Sequence, residues 1–324
     1  MPTILAADVG GTNMRFSLFV DGREVHHGVY PTANFKTGGV PAAAKAFLGD
    51  RSVPDAFCMA CAGVVRNGVY HSHNMPFAVD AEATRRATGI PLVRLANDLE
   101  AAAHGLERLR SEDCAMLRTG VAEPEAPVLL VAVGTGLGGA LLVRAGGHVT
   151  VLPSEPGQTG FSPHTPEMGE ILLAFHAEKG RPPIVEEVVS GPGLERIYRY
   201  VVADARSRDL VGTAPLDGAA AIAAAGLSGR DPLAERAVEL LAGGIGWELR
   251  NFAVRVGATG GIYLAGGVAE KIEPALRRPA FLEAFTLAFG ERLLGRVPIT
   301  LVKSARLGID GAMALAERAL AERA

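Results

Sequence analysis

The chain is short of cysteine, of net charge and of long apolar runs, and each shortage excludes something. Three cysteines in 324 residues, an odd number, give no disulfide framework. Cys58 and Cys61 in "FCMACAG" have C-x-x-C spacing, but the run around them reads as a buried strand. A reactive pair wants a helix N-terminus to lower a thiol pKa. Basic residues number 32 and acidic ones 35, a formal net charge of -3 with no block of one sign. Neither a nucleic acid nor a membrane is therefore an expected partner. No apolar segment reaches membrane-spanning length, and no basic segment precedes the few apolar residues before Asp8. The cytoplasm is the expected compartment. No linker rich in Pro or Ser divides the chain, although its length suits two lobes.

What is present is glycine, placed between apolar runs. "TILAADV", "MRFSLFV" and "REVHHGVYP" read as three strands, the first pair joined at Gly10-Gly11 and the second by Asp21-Gly22, a strong hairpin dipeptide. Helical and apolar stretches then alternate. "VPAAAKAFL", "DAEATRRAT" and "DLEAAAHGLERL" are helices, "DAFCMACAGVV" and "IPLVRLA" are strands, and Asn97 is placed to cap the helix that follows it. The pattern restarts at "APVLLVAVGTGLGGALLVRAGGHVTVLP", where strand, Gly/Thr turn, strand, Gly-Gly turn and strand repeat the opening order. Helices are expected over 166–179, 192–205, 217–225 and about 231–256. The strands "GIYLAGG" and "VPITLVK" and the helix "GIDGAMALAERALAERA" complete a mixed α/β pattern of sheets covered by helices.

The two Gly/Thr turns invite a nucleotide, and two common motifs fail. Gly134, Gly136 and Gly139 satisfy G-x-G-x-x-G, but that fingerprint must open a helix and here the chain continues as a hairpin. Neither turn ends in G-K-[ST], so a Walker loop is excluded as well. Backbone without Cβ atoms still approaches oxyanions closely, and successive N–H groups make an anion-binding concavity, to which Thr12 and Thr135 add hydroxyls. With no Lys in the loop, Mg²⁺ reached from Asp8 through water would supply positive charge. His71 and His73 lie two apart with no third ligand at useful spacing, and they read as solvated or structural.

In order along the chain, "DVGGTNMRFSLF", "NDLEAAAHG", "GTGLGGALL", "SGPGLERIYR" and "GGIYLAGGV" resemble the motifs of bacterial glucokinases of the ATP-dependent hexokinase type. The resemblance spans nearly the whole chain. It implies a two-lobed actin-like ATPase (ribonuclease H-like) fold, with residues 1–108 and 308–324 as a small lobe, 109–307 as a large lobe, and sugar and nucleotide in the cleft between. It implies phosphoryl transfer from ATP, with Mg²⁺, to the 6-hydroxyl of glucose, in a protein expected to be a homodimer. Asp8, Gly10, Gly11, Thr12 and Asn13 match the first phosphate loop. Gly134, Thr135 and Gly136 match the second, and Gly260, Gly261, Gly266 and Gly267 are similar to the adenosine-side segment. Asn97 and Asp98 match the sugar-binding pair, with Asp98 the catalytic base, and Glu155 and Glu186 match carboxylates that hold sugar hydroxyls. Asn74 falls in a segment near the sugar.

Two features depart from the family. "SEPGQTG" puts Gln158 where the family has His and Pro156 where it has Gly, and Gln can donate and accept but not titrate. The Cys-rich zinc motif of the related repressor and kinase group is missing, and so is room before Asp8 for a helix-turn-helix. Two alternatives stay open: a kinase for another hexose, and a non-catalytic sugar or nucleotide sensor of the same fold. Glu186 and Glu187 are adjacent, so one of them should point away from the sugar.

Overall fold

The computed structural model describes residues 2–70, 75–146, 148–207, 215–288 and 290–323. Contacts divide the chain into two compact units: Met1–Arg110 with Val151–Pro153 and Ser304–Ala324, and Ser111–Thr150 with Ser154–Lys303.

The first unit is built on β1 (Thr3–Val9), β2 (Asn13–Val20), β3 (Arg23–Pro31), β4 (Ala56–Cys61) and, after a small sheet of β5 (Val65–Arg66), β6 (Val69–Tyr70) and β7 (Val79–Asp80), β8 (Leu92–Asn97). Its main sheet runs β3-β2-β1-β4-β8, antiparallel through the first three strands and parallel from β1 to β8. Asp21 and Gly22 both take positive φ, 50° and 74°, which the tight β2–β3 hairpin requires.

Side chains alternate across this sheet. Leu5, Ala7 and Val9 join one core cluster with Val40, Ala43 and Phe47 of α1 (Gly39–Leu48), while Ile4 and Ala6 join another with Ile309, Ala312 and Met313 of the helix Leu307–Ala321. That last helix, α12 (Leu307–Ala321), and α3 (Asp98–Gly105) pack backbone to backbone. A Cβ on Gly311 would collide with the Ala101 carbonyl oxygen, and one on Gly105 with the Leu307 carbonyl oxygen. The period of two also settles the C-x-x-C spacing, because an odd separation sends the two thiols to opposite faces. Cys58 lies in the cluster facing α12 and Cys61 in the other, both fully buried. Burial pushes the Cys58 thiol up to about 12.

The second unit, with Val151–Pro153 of β12 counted in the first, has the sheet order β12-β11-β10-β13-β14-β9, from β9 (Cys114–Arg118), β10 (Val128–Val133), β11 (Leu137–Ala145), β12 (His148–Ser154), β13 (Ile262–Ala265) and β14 (Ile299–Val302). Its first five strands repeat the first unit's order, an antiparallel meander followed by two parallel strands. Helices α4 (Pro166–Lys179), α5 (Gly191–Ser207), α6 (Ala219–Leu227), α7 (Pro232–Val256), α8 (Gly267–Lys271), α9 (Glu273–Leu276), α10 (Pro279–Thr286) and α11 (Gly290–Leu294) complete it, as α2 (Ala81–Thr88) does the first. The expected helices lie within a turn of these bounds. Thr165 caps α4 and Asp231 caps α7 through backbone N–H groups, and Gly180 and Gly257 end them at positive φ. No helix among the described residues is long and apolar enough to cross a membrane.

Candidate functional site

In the first unit the site residues gather at the carboxyl edge of the parallel strands, where open α/β sheets bind ligands. Register places Val9 beside Cys61 and Cys61 beside Asn97. The segments that follow, Gly10–Asn13, Ala62–Gly63 and Asp98, therefore leave the sheet side by side, the outer two about 10 Å apart. Gly10 N donates to Asn13 O (3.0 Å) and closes the first turn. Behind it sits buried Thr32, whose Oγ1 donates to Gly10 O (2.7 Å) and whose N donates to Thr12 O (2.9 Å). With its carbonyls turned inward, the loop leaves the N–H groups of exposed Gly11 and Thr12 without a protein acceptor among the described residues. Asp8, opposite Arg15 on the neighbouring strand, accepts from its Nη1 at 2.9 Å through Oδ2.

Asn97 forms a full capping box. Its Oδ1 accepts from Leu99 N (2.9 Å) and Glu100 N (3.1 Å), and Glu100 Oε2 accepts from Asn97 N (3.3 Å). Its Nδ2 donates to Gly63 O at 2.9 Å, and Gly63 holds a φ of 140°. The amide is thus engaged at both ends, with one N–H to spare, and Asn97 fixes the first turn of α3 on which Asp98 stands. Asp98 Oδ1 accepts from Leu99 N at 3.0 Å. Burial pushes the Cys61 thiol up, and the charges of Asp98 and Asp8 add to the push. Asn74, with His71 and His73, lies outside the described residues.

The second unit assembles a second cradle. Gly134 N donates to Gly136 O (2.9 Å), and Gly191 N, at the start of the 17-residue α5, donates to Gly134 O (2.9 Å). The N–H groups of Thr135 and Gly136 have no protein acceptor among the described residues. Gly266, with φ 99°, follows β13 beside Val133, where a Cβ would strike the Val133 backbone, and Gly267 opens α8 next to it. Gly260 and Gly261 are not brought there. They precede β13 at its opposite end and serve the sheet, with Gly260 N donating to Pro127 O and Gly261 O accepting from Leu129 N.

Next to the turn lie Glu155, Gln158 and Glu186. Glu186 Oε1 accepts from Gln158 Nε2 (2.7 Å) and its Oε2 from Leu137 N (3.3 Å). Partial burial holds the Glu155 carboxyl above its ordinary range, and the charge of Glu186 adds to this. Glu187 points elsewhere: Arg181 grips both its oxygens (2.7 and 2.8 Å) and holds its carboxyl below the ordinary range, while the carboxylate also accepts from Ile184 N. Sequence reasoning missed Thr32, Arg15 and Gly63. Only Gly63 carries a local signal, a glycine just past a buried strand.

Both Gly turns therefore offer unpartnered N–H groups, and each sits near carboxylates suited to hydroxyls. The sequence profile of the glucokinase family matches residues 5–319. The chain belongs to the glucokinase family. A glucokinase of Nostoc sp. is 31% identical over 98% of this chain and 100% of its own length. Among solved structures, a glucokinase from an Antarctic psychrotroph superposes with a TM-score of 0.86 at 26% identity, covering 98% of this chain and 99% of its own. A ROK family glucokinase from Streptomyces griseus, in complex with glucose and AMPPNP, gives 0.63 at 20% identity, covering 98% and 99%. The fold is the actin-like ATPase fold of these sugar kinases, and the chain is a sugar kinase by family.

Proposed function

We propose that the protein is a glucokinase that transfers the γ-phosphoryl group of Mg-ATP to the 6-hydroxyl of D-glucose. The observation that carries this reading is the Gly134–Gly136 turn, seated against the N-terminus of α5 and adjoining the Glu155, Gln158 and Glu186 set. Backbone N–H groups at a helix N-terminus suit phosphate, and a pair of carboxylates with an amide suits sugar hydroxyls. The Streptomyces griseus relative holds both kinds of ligand.

The chemistry assigned to this chain is positioning and proton transfer. Gly11 and Thr12 of the first loop and Thr135 and Gly136 of the second donate to phosphate oxygens. Glu155, Gln158 and Glu186 orient the sugar. Asp98 accepts the 6-hydroxyl proton as that oxygen bonds to the γ-phosphorus, and the bond to the β–γ bridging oxygen breaks to release ADP. Asp98 stands in the first turn of α3, and a helix N-terminus favours the charged form of a carboxylate, the form a base requires. Mg²⁺, when bound with the nucleotide, supplies charge neutralisation. The residues fit it as a phosphate-borne ion, because no three His, Cys, Asp or Glu side chains among the described residues converge and Asp8 keeps one carboxylate oxygen free of Arg15 for a water-mediated contact.

A coupled assay with Mg-ATP tests the reading across glucose, mannose, fructose, glucosamine and N-acetylglucosamine. Glucose should give the highest kcat/KM, and Asp98→Asn should lower kcat by about 10²- to 10⁴-fold with sugar affinity kept. A second reading, preference for another hexose, draws on Gln158, whose amide is bound to Glu186. A different best sugar in the same assay selects it. Binding of sugar without turnover would select a sensor instead.

A further inference from the structure

Glu186 joins two loops that have separate tasks. One carboxylate oxygen meets the turn assigned to phosphate and the other meets the loop assigned to the sugar. We propose that Glu186 is a positioning residue through which sugar occupancy sets the shape of the Gly134–Gly136 turn, so that sugar and nucleotide bind cooperatively within the second unit. The inference rests on the glucokinase reading and adds a route of coupling to it.

Three observations carry it. The bonds from Leu137 N and Gln158 Nε2 end on different oxygens of the same carboxylate, so rotating it to favour one side disturbs the other. The two are unequal: 2.7 Å on the Gln158 side is near ideal, and 3.3 Å on the turn side is long, leaving room for the turn to tighten. The seat of the carboxylate is also made of absent side chains. A Cβ on Gly136 would lie 2.7 Å from Glu186 Oε2, so the turn gives up a side chain to this oxygen, and Gly157, where a Cβ would first strike the Leu137 carbonyl oxygen, leaves room on its other side.

A sugar hydroxyl that donates to Oε1 alongside Gln158 holds the carboxylate at one angle and fixes Oε2 against Leu137 N. The adjoining N–H groups of Thr135 and Gly136 are then held in place for phosphate. Glu155 works in the same direction, since its carboxyl already feels the charge of Glu186 and a second sugar hydroxyl that donates to Glu155 offsets the repulsion. Linkage makes the effect reciprocal: whatever factor the sugar adds to nucleotide affinity, the nucleotide adds to sugar affinity.

The test is calorimetric titration of AMPPNP with Mg²⁺ into the full chain, with and without saturating glucose, and of glucose with and without AMPPNP. The wild-type ratio should be about tenfold, within the usual range of coupling between sites. Gly136→Ala pushes on the carboxylate without altering it, at a residue whose φ is not positive and whose backbone accepts alanine. Gln158→Ala removes the opposite bond. In both variants the ratio should fall below about twofold, whatever happens to either affinity alone. In Glu186→Gln the ratio should survive in part, because the new amide can accept from Leu137 N while Gln158 flips to accept from it. A merely structural role would shift single affinities and leave the ratio alone, which overturns the inference, as does a wild-type ratio of one with both ligands binding. Failure of the wild type to bind glucose or AMPPNP overturns the glucokinase reading and the inference together. Should Gly136→Ala fail to fold, Gln158→Ala decides.

Discussion

Removing the Asn97 side chain distinguishes a structural strut from a sugar ligand. The structure gives Asn97 two tasks besides any contact with substrate: it caps α3 and it satisfies the Gly63 carbonyl. Losing an N-cap of this kind costs about 1 kcal/mol. Leaving the Gly63 carbonyl without its donor costs about 1–3 kcal/mol, since Asn97 is only 8% exposed. Asn97→Ala should therefore lower stability by about 2–4 kcal/mol. Asn97→Ser keeps an oxygen for the cap but loses the Gly63 bond, and should cost about 1–3 kcal/mol. Urea denaturation at constant m-value reads both. Steady-state kinetics on the same variants should show kcat falling with the cap, because Asp98 stands on the turn that the cap holds. Asn97→Ala with unchanged stability and a raised KM for glucose would refute the reasoning and make Asn97 a ligand alone.

Three further outcomes rest on other parts of the molecule. Gly311→Ala should destabilise by about 1–3 kcal/mol, because its Cβ meets the Ala101 carbonyl, whereas Gly308→Ala in the same helix meets open space and should be neutral or stabilising in urea denaturation. Burial pushes the Glu248 carboxyl up to about 7, against bonds from Asn251 and the charge of Arg255 that act downward. The folded state thus keeps a proton that the unfolded chain releases from about pH 4.5, so this contribution to stability is full below pH 4.5 and is lost as pH rises to about 7, by about 3 kcal/mol. Glu248→Gln should flatten that part of the urea-midpoint profile against pH. A thiol reagent such as dithiobis-nitrobenzoate should leave Cys58 and Cys61 untouched in the native protein and react at Cys114 alone, with all three reacting in denaturant.

Local chemistry made most of the frame legible. Thr165 and Gly180 bracket α4 by their own capping preferences, Asp21-Gly22 specifies its hairpin, and Asn97 announces both the end of β8 and the start of α3. Elements fixed by distant partners were less visible. Among the described residues β9 pairs with β14 alone, far along the chain, and the two-residue strands β5, β6 and β7 are too short to show a period. The same division holds at the site. The turns advertise themselves through glycine and threonine, but Thr32 gives no sign in its own neighbourhood that it backs the Gly10 turn. The choice between Glu186 and Glu187 was likewise made by Arg181 on one side and by Leu137 and Gln158 on the other.

The place of α12 in the first unit bears on how the protein is made. Its apolar residues cover one face of β1 and β4 and its glycine meets α3, yet in the chain it follows the whole second unit. During translation the opening sheet must wait with that face bare while some two hundred residues are added, at about 5–20 residues per second. The second unit, nearly continuous in sequence, can close on the ribosome first. Nascent chains therefore pass through a stage lasting tens of seconds in which Ile4, Ala6, Cys58 and Ala60 lack their cover, and chaperone capture or aggregation would begin at that surface.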